Sequence, residues 1–193
     1  MDLQKYTQDA LRTEAGAVTE IKVNEMLLIG VIQHMMFAGQ MLDQIKKHVF
    51  YKRPYNMEEM GMNLSYMVEA LQTLTTLTPE EINNDESVMD INPRIFHAVV
   101  GMTTEAVELL EALRFYGEPM DLVNMAEECG DMGWYTAVLL DEAGADWDEV
   151  LHRNIAKLKA RFPEKFTQEA ANVRDLKTER KILEGDPPPS EST

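Results

Sequence analysis

The amino-acid sequence predicts an all-α fold, on three observations. Glycine and proline are few, 10 and 8 among 193 residues, while methionine reaches 14. Met, Leu, Ala, Glu and Lys favour helices, and β-branched runs are scarce. Apolar residues recur at helical spacing over most of the chain, in stretches separated by Pro, Gly and Asn/Asp signals.

The elements follow in order. A short helix over 3–13 leads into a long one over 19–51, ended by the Lys52-Arg53-Pro54 break. A third helix spans 57–75. Thr78 then offers an N-cap, Pro79 suits the first helical position, and Glu81 can close a capping box. Asn83-Asn84-Asp85 keeps that turn brief. Pro93 opens the next helix, which stops near Gly117-Glu118-Pro119, and another over 120–143 ends at Gly144. Asp146 and Glu149 start a helix reaching Phe162-Pro163. A polar helix over 167–183 precedes GDPPPSEST (185–193), which has the composition of a disordered tail. The expected organisation is one domain over 1–184, made of an N-terminal helix pair (19–75), a second pair (95–143) and C-terminal helices (146–184).

Charge narrows the partners. Asp and Glu number 34 against 18 Lys and Arg, a formal charge of −16. That surface repels polyphosphate backbones, so a nucleic-acid polymer is not an expected partner. A small triphosphate arriving with Mg²⁺ remains compatible. The one cysteine, Cys129, cannot form an internal disulfide, which fits a reducing cytosol. The N-terminal MDLQKYTQDALRTEAG lacks the apolar stretch of a secretory signal. The apolar run over 26–41 is interrupted by Gln33, His34, Gly39 and Gln40, so it is not read as membrane-spanning. The expectation is a soluble, cytoplasmic protein.

The chemistry lies in two acid pairs on consecutive helices, Glu105-x-x-Glu108 and Glu128-x-x-Asp131. Residues three apart share a helix face. A short connection packs the two helices antiparallel, which can bring the pairs together. Converging carboxylates repel one another and cannot all be buried and ionised without neutralisation. A hard divalent cation supplies it, and Mg²⁺ also binds substrate phosphates. Either pair alone is a common feature of exposed helices; their combination is what points to a site. Other features have plainer readings. Cys129 is expected to be a packed small hydrophobe, since no base accompanies it. Glu149-x-x-His152 is a single copy of a spacing that di-iron bundles need twice. Trp134 and Tyr135 could stack a nucleobase but read first as core, and His34 and His97 as satisfied interior or boundary groups.

The stretches HAVVGMTTEAVELLEAL (97–113), DLVNMAEECGDMGWYTAVLLDEAG (121–144) and NIAKLKARFPEKF (154–166) together resemble the MazG-type all-α nucleoside triphosphate pyrophosphohydrolases, in particular short single-domain bacterial and phage members. The family pattern of E-x-x-E, E-E-x-G-D and a following helix with Asn, Lys and Arg has counterparts in Glu105/Glu108, Glu127/Glu128/Asp131 and Asn154/Lys157/Arg161. The resemblance implies a four-helix-bundle core with an additional C-terminal helix. It also implies cleavage between the α- and β-phosphates to a monophosphate and pyrophosphate, and assembly as a homodimer or homotetramer. Glu105, Glu108, Glu128 and Asp131 would be the metal and catalytic ligands, for Mg²⁺ with Mn²⁺ able to substitute. Asn154, Lys157 and Arg161 would bind substrate phosphate; the two cations lie four apart on one helix face. Two alternatives stay open: an enzyme specific for one deoxynucleotide, similar to dUTPases or dCTPases, and a non-catalytic acidic interaction protein.

The N-terminal pair also suggests a degenerate duplication. MEEMGMNLSYMVEAL (57–71) lines up with AEECGDMGWYTAVLL (126–140), and GQMLDQIKK (39–47) with VELLEALRF (107–115). In that register Glu59 matches Glu128, Met62 stands where Asp131 is, and Phe37 and Gln40 stand where Glu105 and Glu108 are. One half would then have kept the metal site, the other lost it, and 19–75 would pack as a pseudo-twofold mate of 95–143.

Overall fold

The computed structural model describes residues 2–14, 16, 18–85, 87–114 and 117–185, and they form an all-α fold. The helices are α1 (Leu3–Leu11), α2 (Glu25–Tyr51), α3 (Met57–Leu74), α4 (Pro79–Asn83), α5 (Pro93–Ala112), α6 (Leu122–Glu142), α7 (Trp147–Arg161), α8 (Gln168–Asn172) and α9 (Leu176–Glu184). Two-residue strands β1 (Ile21–Lys22) and β2 (Val88–Met89) make a small two-stranded sheet, beside which Val23 N–H donates to the Ser87 carbonyl.

Short polar side chains decide where helices begin. Asp2, Asn24, Asn56, Thr78, Asn92, Asp121, Asp146, Thr167 and Asp175 each accept a backbone N–H of the first turn, satisfying donors that have no partner inside the helix. At α4 the expected capping box forms in full, with Thr78 and Glu81 bonding reciprocally.

Three boundaries differ from the sequence expectation. The long helix starts at Glu25 rather than near 19, because 21–22 are extended strand and Asn24 caps Leu27 N–H at 2.9 Å. The helix from Pro93 ends at Ala112, and Arg114 beyond it is left-handed (φ 53). The polar helix over 167–183 is two helices, broken where Val173 is extended and Asp175 caps α9. An aspartate favours that cap over a helix interior. Of the tail expected to be disordered over 185–193, Gly185 is the left-handed C-cap of α9, and 186–193 lie outside the described residues.

The chain divides into two compact units, 1–21 with 90–154, and 22–89 with 155–193. In the first, α5 and α6 pack antiparallel: Asn92 at the start of α5 donates to Glu142 at the end of α6 (2.7 Å). Their contact buries Ala98, Ala112, Ala137 and Val138. Small side chains bring the backbones close, and at Gly101 a methyl group would lie 2.2 Å from the Tyr135 ring. Helix α1 lies on α6, where Trp134 Nε1 donates to Thr13 Oγ1 (2.8 Å) and the Ala10 carbonyl (3.1 Å). Arg94 ties down the segment after α1, donating to both Glu14 oxygens (2.7 and 2.8 Å) and to Asp141 (2.6 Å) and Glu142 (3.1 Å).

In the second unit α2 and α3 form the other antiparallel pair. Asn56 N–H at the start of α3 donates to Gln44 (2.9 Å), and Gly30 near the start of α2 faces Leu74 at the end of α3. Tyr51 meets Phe166 (5.7 Å between ring centres), and its carbonyl accepts from Asn172 (3.3 Å). Glu179 closes this unit's polar network. It is 5% exposed and accepts from Arg161 (2.8 and 2.6 Å) and Arg174 (3.3 and 2.5 Å). Helix α2 is long and apolar enough (mean hydropathy 1.2) to cross a membrane by length and composition, and only 6% of its apolar window is buried.

Candidate metal centre

The centre is built from one antiparallel helix pair. Successive turns of α5 place Glu105 and Glu108 on one face, and α6 brings Glu128 against them. Their carboxylate oxygens lie within 4.8 Å of one another. Glu128 is only 4% exposed, Glu105 is half-buried and Glu108 is exposed. Asp131, one turn along α6, is exposed and shares a recess of about 360 Å³ with Glu105, Trp134 and Tyr135. The structure thus clusters three of the four predicted ligands and sets the fourth at the adjoining recess.

Electrostatics bear the marks of crowding. Burial, followed by the hydrogen bond and charge of Glu105, raises the Glu128 pKa above the ordinary carboxylate value. The Glu128 charge is the main cause raising that of Glu108, with burial, Glu111 and Asp131 adding to it. Burial, with the charges of Glu105, Asp131 and Glu108, raises the Tyr135 phenol as well. No Lys, Arg or His among the described residues forms an ion pair with Glu105, Glu108, Glu128 or Asp131. A donor set of carboxylate oxygens alone suits a hard cation such as Mg²⁺ or Mn²⁺ and lacks the nitrogen or sulfur ligands that favour zinc. The residues present therefore fit the divalent ion that the sequence implied.

The predicted phosphate ligands all lie on α7. Asn154 and Lys157 are half-buried. Asn154 belongs to the first compact unit, Lys157 and Arg161 to the second. The Arg161 guanidinium is bound by Glu179 and lies 5.7 Å from the centre of the Phe162 ring. A role for it with phosphate requires exchange of that carboxylate.

Cys129 corrects an expectation: its side chain is exposed rather than packed. Glu128 takes the interior face, so its neighbour in sequence points elsewhere. His97 is also exposed. It stands edge-on to Trp134 (5.8 Å) and Tyr135 (5.4 Å), forming a three-ring cluster beside the acids. His34 meets the Gly30 carbonyl at 3.0 Å through its own helix. Two contributors were not legible in the sequence. Tyr6 of α1 donates to the Gly130 carbonyl (3.3 Å), and the Asp131 charge adds to burial in raising its pKa. Gly101 leaves room for the Tyr135 ring. The E-E-x-G-D segment marks its own helix and carries no sign of what packs against it.

Compared with known families, curated proteins and solved structures, the chain finds no match in any of the three.

Proposed function

We propose that this protein is a Mg²⁺-dependent nucleoside triphosphate pyrophosphohydrolase of the MazG type, releasing a nucleoside monophosphate and pyrophosphate. The observation that carries the reading is Glu128, 4% exposed beside two further glutamates, with no cationic side chain among the described residues in an ion pair with any of them. A buried carboxylate crowded by two others and without a counter-charge is costly, and a divalent ion offsets that cost.

Glu105, Glu108, Glu128 and Asp131 would hold the metal. The bound ion would acidify the attacking water and stabilise charge developing at the α-phosphorus. Glu128, fixed by burial, anchors the cluster. The exposed Glu108 and Asp131 face solvent, from which the triphosphate and the water arrive. Water adds to the α-phosphorus, the bond to the β-phosphate oxygen breaks, and the water proton passes to a carboxylate of the cluster. Asn154, in the same compact unit as the acids, is the α7 side chain that would meet phosphate. Water attack at the α-phosphorus predicts pyrophosphate as the product. The decisive assay incubates the protein with each NTP and dNTP, with and without Mg²⁺; release of orthophosphate, or no metal-dependent release, sinks the reading.

We also propose that the active form is a cytoplasmic homodimer or homotetramer. Ile29, Ile32, Met35, Met36 and Leu42 of α2 are each 37–56% exposed. Apolar exposure of this extent is usual for an association surface. Sedimentation equilibrium checks it: a monomer at micromolar concentration would rule it out.

A further inference from the structure

We propose that a cavity of about 550 Å³ at the turn between α2 and α3 binds a small zwitterion of the amino-acid class, its carboxylate on Arg53 and its ammonium on Glu59. The cavity belongs to the second compact unit, and none of its wall residues is among those assigned above to metal or phosphate.

The turn that carries Arg53 is fixed before any ligand arrives. Lys52 ends α2 in the left-handed region (φ 55), and the Arg53 N–H donates to the Lys47 carbonyl (3.3 Å). His48 Nδ1 meets the Arg53 carbonyl at 3.0 Å, and the His48 ring stacks on Tyr55 with ring centres 4.2 Å apart. Pro54 restricts its own backbone and that of the residue before it. Gln44 Oε1 accepts the Asn56 N–H (2.9 Å), and Asn56 caps α3 and donates to Glu59 (3.1 Å). A site held in shape beforehand loses less binding energy to ordering.

Charge defines the ligand. Asp43 and Glu59 share the wall with Lys47 and Arg53, so the wall charges cancel within a chain of formal charge −16. Their pairing is uneven. Asp43 holds both Lys46 (2.6 Å) and Lys47, whereas neither Arg53 nor Glu59 forms an ion pair among the described residues. One cation and one anion thus stand open in one cavity without meeting each other. The two cations of the wall disfavour a metal ion, and its two acids disfavour a phosphate dianion. A neutral ligand with separated charges satisfies both open groups. Its carboxylate matches the planar guanidinium fork, and its ammonium matches the Glu59 carboxylate. Gln44 adds a further reason: its Nε2 is buried with no hydrogen-bond partner among the described residues, and a ligand oxygen reaching it removes that deficit. The volume is within the range of about 300–1,000 Å³ common for small-molecule sites. Met36 and Gln40 leave apolar and polar wall for the rest of the ligand.

Calorimetric titration of the full-length protein with each common L-amino acid at neutral pH tests this. For the tightest binder, the methyl ester and the N-acetyl derivative each remove one of its charges. At least one amino acid should bind with a Kd of about 1 mM or tighter, and each derivative about 10-fold or more weaker. Arg53→Gln should weaken the amino acid by about 10-fold and no longer distinguish it from its ester. Glu59→Gln should no longer distinguish it from its N-acetyl form. Absence of binding by every amino acid at about 10 mM overturns the assignment, as does a derivative bound like its parent. Inorganic phosphate bound as tightly as the amino acid also overturns it, since that is the behaviour of a plain anion site. Should Glu59→Gln not fold by circular dichroism, Arg53→Gln decides, because that side chain is exposed. An ester discriminated by Arg53→Gln as strongly as by wild type then overturns the site. None of these outcomes depends on pyrophosphate release, so this site and the pyrophosphohydrolase stand or fall separately.

Discussion

Two glutamates are buried to nearly the same degree, Glu128 at 4% exposure and Glu179 at 5%, and their surroundings are opposite. Glu179, in the second compact unit, takes hydrogen bonds from two arginines that hold its pKa down to about 2. Glu128, in the first, meets Glu105 and Glu108, and its pKa is raised. The same side chain at the same depth thus serves two ends. One acid has its counter-charge built into the chain and is structural. The other has no cation paired to it among the described residues, which is the ground for proposing a site there.

The helix pairs extend the contrast. Within α5/α6, Glu105 and Tyr135 line one recess; at the corresponding positions of α2/α3, Phe37 stacks on Tyr66 with ring centres 5.3 Å apart. Gln40 and Glu59, matching Glu108 and Glu128, line a recess of about 550 Å³ that also contains Asp43 and Lys47, which pair with each other. Where one pair gathers acids, the other has an aromatic stack and an internal ion pair.

The largest expected effect tests the pairs against each other. If the proposed function holds, Glu128→Gln should lower Mg²⁺-dependent pyrophosphate release by about 100-fold or more, as loss of a metal ligand rather than of a supporting contact. Glu59→Gln should leave release unchanged. Equal effects in the two variants would erase the functional difference between the pairs.

Glu179→Ala should cost about 3 kcal/mol in urea unfolding, because it strands the Arg161 charge, whose side chain is 16% exposed. A loss near zero would mean the arginines do not hold this unit together.

Glycine contacts sharpen the comparison further. Gly101→Ala drives a methyl into the Tyr135 ring and should destabilise the protein by about 1–3 kcal/mol. Gly30→Ala meets the Leu74 side chain alone, at 2.7 Å from one methyl and 2.9 Å from its branch carbon. There a helix-propensity gain of up to about 1 kcal/mol offsets the clash, leaving little net change. Thermal unfolding of both variants ranks them, and the reverse order would contradict the packing described.

The smallest effect concerns pH. Raised folded pKa values at Glu108 and Glu128 contribute stability that is full below the ordinary carboxylate pKa and is lost as pH rises through the raised values. Glu179 has the opposite sign: its contribution is present above about 4.5 and is lost as pH falls toward about 2. Without divalent cation, the wild-type melting temperature should therefore rise as pH drops from neutrality toward the ordinary carboxylate pKa, before Glu179 begins to protonate. Glu128→Gln should flatten that rise, and Mg²⁺ should diminish it. A melting temperature that falls over this range would contradict the assigned shifts.

Helix identity and most helix starts were written in the sequence, because a period-3.6 apolar pattern and a capping Asp, Asn or Thr act within a few residues. The pairing of Glu105/Glu108 with Glu128 was legible for the same reason, since a short link between two periodic segments leaves antiparallel packing as the simple outcome. The break at Val173, the Arg161–Glu179–Arg174 network and the Tyr6 contact at Gly130 were not. Each depends on groups distant in sequence or on competition between caps, and local patterning carries no record of which partner arrives. Burial likewise came only with the tertiary structure. It separated Glu128 from Glu179, and both from the many acids left in water, because the cost of a charge is set by what surrounds it and not by its place in the chain.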